Sequence, residues 1–259
     1  MRRIRLIVSY DGTNYCGWQI QENAVTVEGT LTDALRKWLK EDIEIIGASR
    51  TDSGVHAYGN IAVFDTNSRI PSEKFAIGLN HYLPDDIRVQ KSDEVESDYH
   101  PRYRNTEKMY EYTILNTKIN LPIYSRYSYH VYHPLDFEVM KEAAALLVGE
   151  HDFSAFCSAG SQVKSKVRTI YEVSLDKQKA MGCNGGEVIR IRVRGNGFLY
   201  NMVRIIVGTL LRVGRGFYTP EQVKEILEAK DRQAAGVTAP PQGLMLMQIE
   251  YQDILLTKK

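Results

Sequence analysis

The chain has 259 residues, 43% apolar and 25% charged, which is ordinary for a soluble globular protein with a real core of one large domain or two small ones. A net charge of +1 does not announce nucleic-acid binding, and no stretch approaches the roughly 20 apolar residues of a membrane span. The apolar run after Met1-Arg2-Arg3 is too short for a signal peptide, and Cys16, Cys157 and Cys183 are odd in number with no CxxC pair, so reduced cytoplasmic thiols are expected and a zinc site is not.

In chain order, Ile4–Tyr10 opens with alternating basic and apolar residues and predicts a strand, ended by the turn signal Asp11-Gly12-Thr13-Asn14. Val27 to Leu39 has apolar residues at helical spacing and predicts a helix with one buried face. Ile43–Ile46 and Asn60–Phe64 read as strands on either side of a polar loop, Ser72–Leu79 as a short helix, and Ile87–Lys91 as a further strand. A second half begins near Pro101. There the pattern predicts strands at Met109–Leu115, Val167–Leu175, Val188–Arg194 and Leu244–Tyr251, and helices at Phe137–Val148, Phe198–Val213 and Pro220–Glu228. The expected fold class is α+β, in two units spanning 1–100 and 101–259, with no short repeat period.

Charge is unevenly distributed. Between Val188 and Pro220 lie Arg190, Arg192, Arg194, Arg204, Arg212 and Arg215 with no acidic residue. Lys164, Lys166 and Arg168 form a second basic run, and Arg102, Arg104 and Lys108 a third. Such local excess suits phosphate contact, with a solvated protein face as the competing account.

The loop after the second strand reads Gly47-Ala48-Ser49-Arg50-Thr51-Asp52-Ser53-Gly54-Val55-His56-Ala57. Asp before Ser-Gly is, alone, a common turn. The longer string resembles the active-site segment G-x-G-R-T-D-x-G-V-H-A of the tRNA pseudouridine synthase A family, with Ser49 where the family more often has Gly. Further segments are similar to that family's motifs in the same order: Tyr10-Asp11-Gly12 through Gly17-Trp18-Gln19, Asn80 through Leu83-Pro84-Asp85-Asp86-Ile87, Tyr99-His100-Pro101-Arg102-Tyr103, Lys108-Met109-Tyr110-Glu111-Tyr112, His151-Asp152-Phe153, and Phe198-Leu199-Tyr200-Asn201-Met202-Val203-Arg204 on to Gly208.

The resemblance implies the pseudouridine synthase fold, two related units whose antiparallel sheets join across a central active-site cleft. It implies an isomerase that cuts the N1–C1′ bond of uridine in tRNA, turns the uracil and rejoins it through C5, at positions 38 to 40 of the anticodon stem-loop. It implies Asp52 as catalytic carboxylate, Arg204 as its ion-pair partner, and Tyr110 as the ring that stacks on uracil and takes the C5 proton. Arg50 would fill the space of the flipped base, Arg102 would contact RNA, and Leu244 would wall the uracil pocket. Lys164, Lys166 and Arg168 occupy a loop that could grip backbone.

Attack on the base, attack on C1′ and abstraction of a 2′ proton all stay open for Asp52. By period-two alternation Tyr112 shares a face with Tyr110, so only the motif selects between them. His56, His81, His100 and His151 have no metal-like spacing and are read as satisfying backbone groups. The chemistry calls for no metal or cofactor, and the expected partners are tRNA and a second copy of the chain. The rivals are a paralogous synthase with another RNA or position as target, and a non-catalytic tRNA-binding protein.

Overall fold

The computed structural model describes residues 1–103, 106–161, 163–182 and 185–251. The strands are β1 (Arg2–Tyr10), β2 (Ile45–Gly47), β3 (His56–Thr66), β4 (Ile87–Val95), β5 (Thr106–Asn116), β6 (Tyr129–Val131), β7 (Gly149–Asp152), β8 (Val167–Lys179), β9 (Glu187–Gly195) and β10 (Leu244–Tyr251). The α-helices are α1 (Val27–Leu39), α2 (Lys74–Leu79), α3 (Phe137–Ala145), α4 (Met202–Gly214) and α5 (Pro220–Ala229). The class is α+β.

Two compact units divide the chain, one of Met1–Thr106 with Met245–Lys259, the other of Glu107–Leu244. The break in sequence thus falls a few residues past Pro101. The last strand goes with the first unit because its Met245 and Leu246 pair with His56 and Ala57 of β3.

In the first unit β1 lies between β3 and β4, antiparallel to both, and β2 adds to β3. Ile4, Leu6, Val8 and Tyr10 of β1 are buried, as alternation requires. The intervening arginines are neutralised across the sheet. Arg3 meets Asp65 on β3 at 2.7 Å, and Arg5 meets Asp93 on β4 at 2.5 Å. Helix α1 is capped by Thr26, whose hydroxyl accepts from the Gly29 N–H at 3.2 Å.

In the second unit β9 lies between β5 and β8, antiparallel to both, and β7 extends β8. The pairing is mixed rather than antiparallel throughout, since β10 runs parallel to β3 and β6 parallel to β5. Strands β6 and β7, three and four residues long, are too short to leave an alternating pattern.

Helix α4 starts later than its apolar run suggested. Asn201 sits at φ 61, a left-handed conformation that cannot continue a right-handed helix. Helix α5 opens on a reciprocal cap, with the Thr219 hydroxyl accepting from the Gln222 N–H and the Gln222 side chain accepting from the Thr219 N–H.

Candidate active site

Asp52 lies in the loop from β2 to β3, and its neighbours explain how the loop is held. Asn60 of β3, fully buried, donates to the Ser49 carbonyl at 2.9 Å and to the Tyr10 hydroxyl at 3.3 Å. That hydroxyl is 2.7 Å from Thr51 Oγ1. The Thr51 carbonyl accepts from the Trp18 N–H at 3.1 Å. A Cβ on Gly17, at φ +86, would stand 2.5 Å from that carbonyl oxygen, so only glycine lets the two segments meet.

The chain then turns back on itself. Val55 N–H donates to the Asp52 carbonyl at 3.1 Å, with Gly54 at φ 76, as a type II turn needs at its third residue. Ser49 and Thr51 are buried, Arg50 is exposed and Asp52 is half-buried. The result is a backbone held from several sides, carrying a carboxylate and a guanidinium two residues apart. Ser49 is a small buried residue whose carbonyl takes the Asn60 bond.

Arg102 donates from Nε to the Gly47 carbonyl at 2.7 Å, beside the start of this loop. Burial, and next the charge of Arg50, hold its pKa below the ordinary arginine value. Arg50 and Arg102 thus form a zone of positive charge next to Asp52. Arg104 lies outside the described residues.

The four motif histidines all meet backbone. His56 Nδ1 accepts from the Gly12 N–H at 3.0 Å and His100 Nδ1 from the Arg102 N–H at 3.2 Å. His81 and His151 contact the Ile77 and Val148 carbonyls at 2.9 and 3.1 Å. Among the described residues, no group of three His, Cys, Asp or Glu is placed to hold a metal ion.

In the second unit the structure separates the two tyrosines that alternation could not. Tyr112 is fully buried, and its hydroxyl donates to the Pro240 carbonyl at 2.7 Å. Its ring lies so close to Gly243 that a Cβ there would be 2.6 Å from it. Burial drives its pKa far above the ordinary value, partly offset by the charge of Arg204. Tyr112 is therefore a structural side chain. Tyr110 is 6% exposed and presents its ring to Phe198, with centroids 5.3 Å apart and planes at 86°.

Arg204, in the first turn of α4, donates from Nε to the Ala239 carbonyl at 2.7 Å and from Nη1 to Asn201 Oδ1 at 2.8 Å. Ala239 N–H returns a bond to the Arg204 carbonyl at 3.1 Å. The guanidinium is thus fixed in direction by two acceptors of its own unit. Leu244, 5% exposed, opens β10. Sequence reasoning missed Phe198, Asn201 and Ala239 as supports. The first two stand inside a quoted motif; Ala239 carries no signal of its own.

The basic run of β9 is not free charge. Arg192 bonds Glu111 of β5 at 2.7 Å and Asp176 of β8 at 2.9 Å, and Arg194 bonds Glu107 at 2.6 Å. Arg190 lies 3.6 Å from both Glu111 and Asp176. Farther on, Arg212 and Arg215 each lie 4.9 Å from the centre of the Phe217 ring. Lys164 is exposed and Lys166 half-buried, while Arg168 packs beside Gly197 with its pKa lowered by burial. Cys16 is exposed, Cys157 is buried, and Cys183 lies outside the described residues. Among the described residues no helix is long and apolar enough to cross a membrane.

Comparison with known proteins places these loops in context. A family model described as tRNA pseudouridine synthase matches residues 6–104 and 143–252. The chain is 49% identical to "tRNA pseudouridine synthase A" of Thermoanaerobacter sp. (strain X514), over 97% of this chain and 100% of that protein. Proteins of the same name from Acetivibrio thermocellus and Brevibacillus brevis are 47% and 46% identical over the same shares.

Proposed function

Since the chain belongs to the tRNA pseudouridine synthase family, we propose that it isomerises uridine to pseudouridine in tRNA, at positions 38, 39 and 40 of the anticodon stem-loop. The observation that carries this reading is identity of 49% over 97% of the chain and all of the relative, with Arg50-Thr51-Asp52 unbroken.

The reaction conserves every atom of the substrate. The N1–C1′ bond breaks, uracil turns, C5 bonds to C1′, and the proton on C5 moves to N1 through the medium or a protein base. Asp52 supplies the carboxylate that acts on the uridine, and Arg204 is its counter-ion in the reacting complex, keeping it ionised. Tyr110 stacks on the uracil and stands as acceptor for the C5 proton, while Leu244 closes the pocket. Arg50 takes the place of the flipped base. Unstacking costs a few kcal/mol, and a planar guanidinium restores part of it. Arg102 and the Lys164, Lys166 and Arg168 run contact RNA backbone. The working unit is a homodimer in the cytoplasm.

The test is to incubate the purified protein with a tRNA transcript and map pseudouridines by chemical labelling. Conversion at 38 to 40 is expected. Conversion only elsewhere would make this a paralogue with another target, and none at all would sink the enzymatic reading.

A second expectation separates the two kinds of basic residue. Arg50→Ala and Arg102→Ala should each weaken tRNA binding several-fold, and Arg102→Ala should also flatten its salt dependence by about one phosphate contact. Arg192→Ala should leave affinity within about twofold, because its charge is already matched by Glu111 and Asp176. Filter binding across a salt series decides, and equal losses for all three would refute the distinction.

A further inference from the structure

The Asp52 turn rests on a second support whose far end is a carboxylate in another motif. The Tyr15 carbonyl accepts from the Gly54 N–H and from Ser53 Oγ, both at 3.2 Å, so it holds the two residues that follow Asp52. The Tyr15 side chain is 5% exposed, and its hydroxyl donates to Asp86 Oδ1 at 2.5 Å. Asp86 Oδ2 accepts from Asn14 Nδ2 at 3.2 Å, and the Asp86 carbonyl accepts from the Asp11 N–H at 2.9 Å. Asp86 therefore grips residues 11, 14 and 15 at once.

Building on the assignment of Asp52 as the reacting carboxylate, we propose that Asp86, acting through Tyr15, is a positioning residue that sets the depth and tilt of the Asp52 turn. The geometry favours this over a general contribution to the core. Asp86 heads β4 at the loop end of the first unit's sheet, and both its carboxylate oxygens are used on the segment touching Ser53 and Gly54. Burial and the neighbouring carboxylate also raise the Tyr15 pKa well above the ordinary tyrosine value, so the hydroxyl stays a donor throughout the working range. A charge-assisted O–H···O⁻ bond of this length is the stiff kind, suited to fixing a turn. With the hydroxyl gone, the Tyr15 segment loses the shorter of its two side-chain bonds to Asp86, and the turn it carries can settle elsewhere.

The experiment compares Tyr15→Phe, Asp86→Ala and Asp86→Asn with the unaltered protein in single-turnover and steady-state assays on a tRNA transcript, with melting followed by circular dichroism. A displacement of about 1 Å at a catalytic group costs on the order of a hundredfold, so Tyr15→Phe and Asp86→Ala should lose about 10- to 100-fold in kcat with KM within about twofold. Asp86→Asn keeps an acceptor for the tyrosine and should recover most of that loss. The Tyr15→Phe/Asp86→Ala double variant should be no worse than the poorer single one, since Asp86→Ala already cuts the link that Tyr15→Phe removes. An unchanged kcat for Tyr15→Phe, or a loss fully explained by a smaller folded fraction, overturns the proposal. Activity in Asp52→Ala would instead overturn the assignment on which it rests.

Discussion

Asp52→Ala protein is expected to bind tRNA and convert no uridine. The backbone of residue 52 closes the turn through the Val55 N–H, and the flanking anchors lie on Ser49, Thr51, Ser53 and Gly54. Removing a half-buried side chain from so well-tied a loop should leave the fold intact. Affinity should persist as well, because phosphate contacts by arginine and lysine dominate it.

The size of the rate loss then reports on the chemical step. A general base contributes about 10²- to 10⁴-fold, whereas removing a covalent nucleophile has cost about 10⁶-fold in kcat in a serine protease. Asp52→Asn sharpens the comparison by keeping shape and removing charge. Asp52→Glu keeps charge but moves it by about a methylene, and about 1 Å of misplacement alone is worth a hundredfold. Release of tritium from C5-labelled uridine in the transcript measures all three, with turnover by Asp52→Ala near that of the unaltered protein as the result that would remove Asp52 from the mechanism.

Local signals in the sequence were read correctly where their causes are local. The Val27–Leu39 helix follows from apolar spacing, its bounds agree residue for residue, and the structure adds the Thr26 cap. The start of α4 did not, because one residue at positive φ outweighs a continuous apolar run, and nothing in Asn201 alone announces that. The arginine run of β9 leaves two accounts open in the sequence for a different reason. Its partners Glu107, Glu111 and Asp176 come from strands β5 and β8, and the register that brings them opposite is not visible along one strand.

The choice between Tyr110 and Tyr112 has the same character. What fixes Tyr112 in place is a carbonyl 128 residues away in sequence. Tyr110 rests on motif resemblance alone, and the packing explains why its neighbour is held. Similarly, the sequence shows Asp86 as part of a recurring pattern, while its grip on Asn14 and Tyr15 needs the fold.

Gly208→Ala should be among the most damaging single-methyl changes in the second unit, against what helix propensity alone would say. In an exposed helix interior, alanine is favoured over glycine by about 1 kcal/mol. At position 208 a Cβ would stand 1.7 Å from the Val237 carbonyl oxygen, and Gly236 is also close against the helix, its Cβ falling 2.6 Å from Gly208. Residues 204 and 208 are one turn apart on the same face of α4. The segment they receive is tied down by the Gly236 N–H to Thr209 Oγ1 at 3.0 Å and by the reciprocal pair between Arg204 and Ala239.

A methyl at 208 must lift that segment by more than 1 Å. Overpacking of this kind costs about 1–3 kcal/mol, and each buried hydrogen bond left unmade adds about 1–3 more. Packing therefore outweighs propensity, and the melting temperature should fall by roughly 6–12 °C for a loss of about 3 kcal/mol. Gly216→Ala is the control. It sits at φ +75 with nothing within 4 Å of its Cβ, so it carries backbone strain of about 1 kcal/mol without a clash. Calorimetry on both variants should rank Gly208→Ala well below Gly216→Ala, and kcat should fall in the first alone, since the displaced segment is the one that orients Arg204. A Gly208→Ala protein as stable as the unaltered chain would show that residues 236–239 can move without cost, and that the fixed direction of the Arg204 guanidinium has some other source.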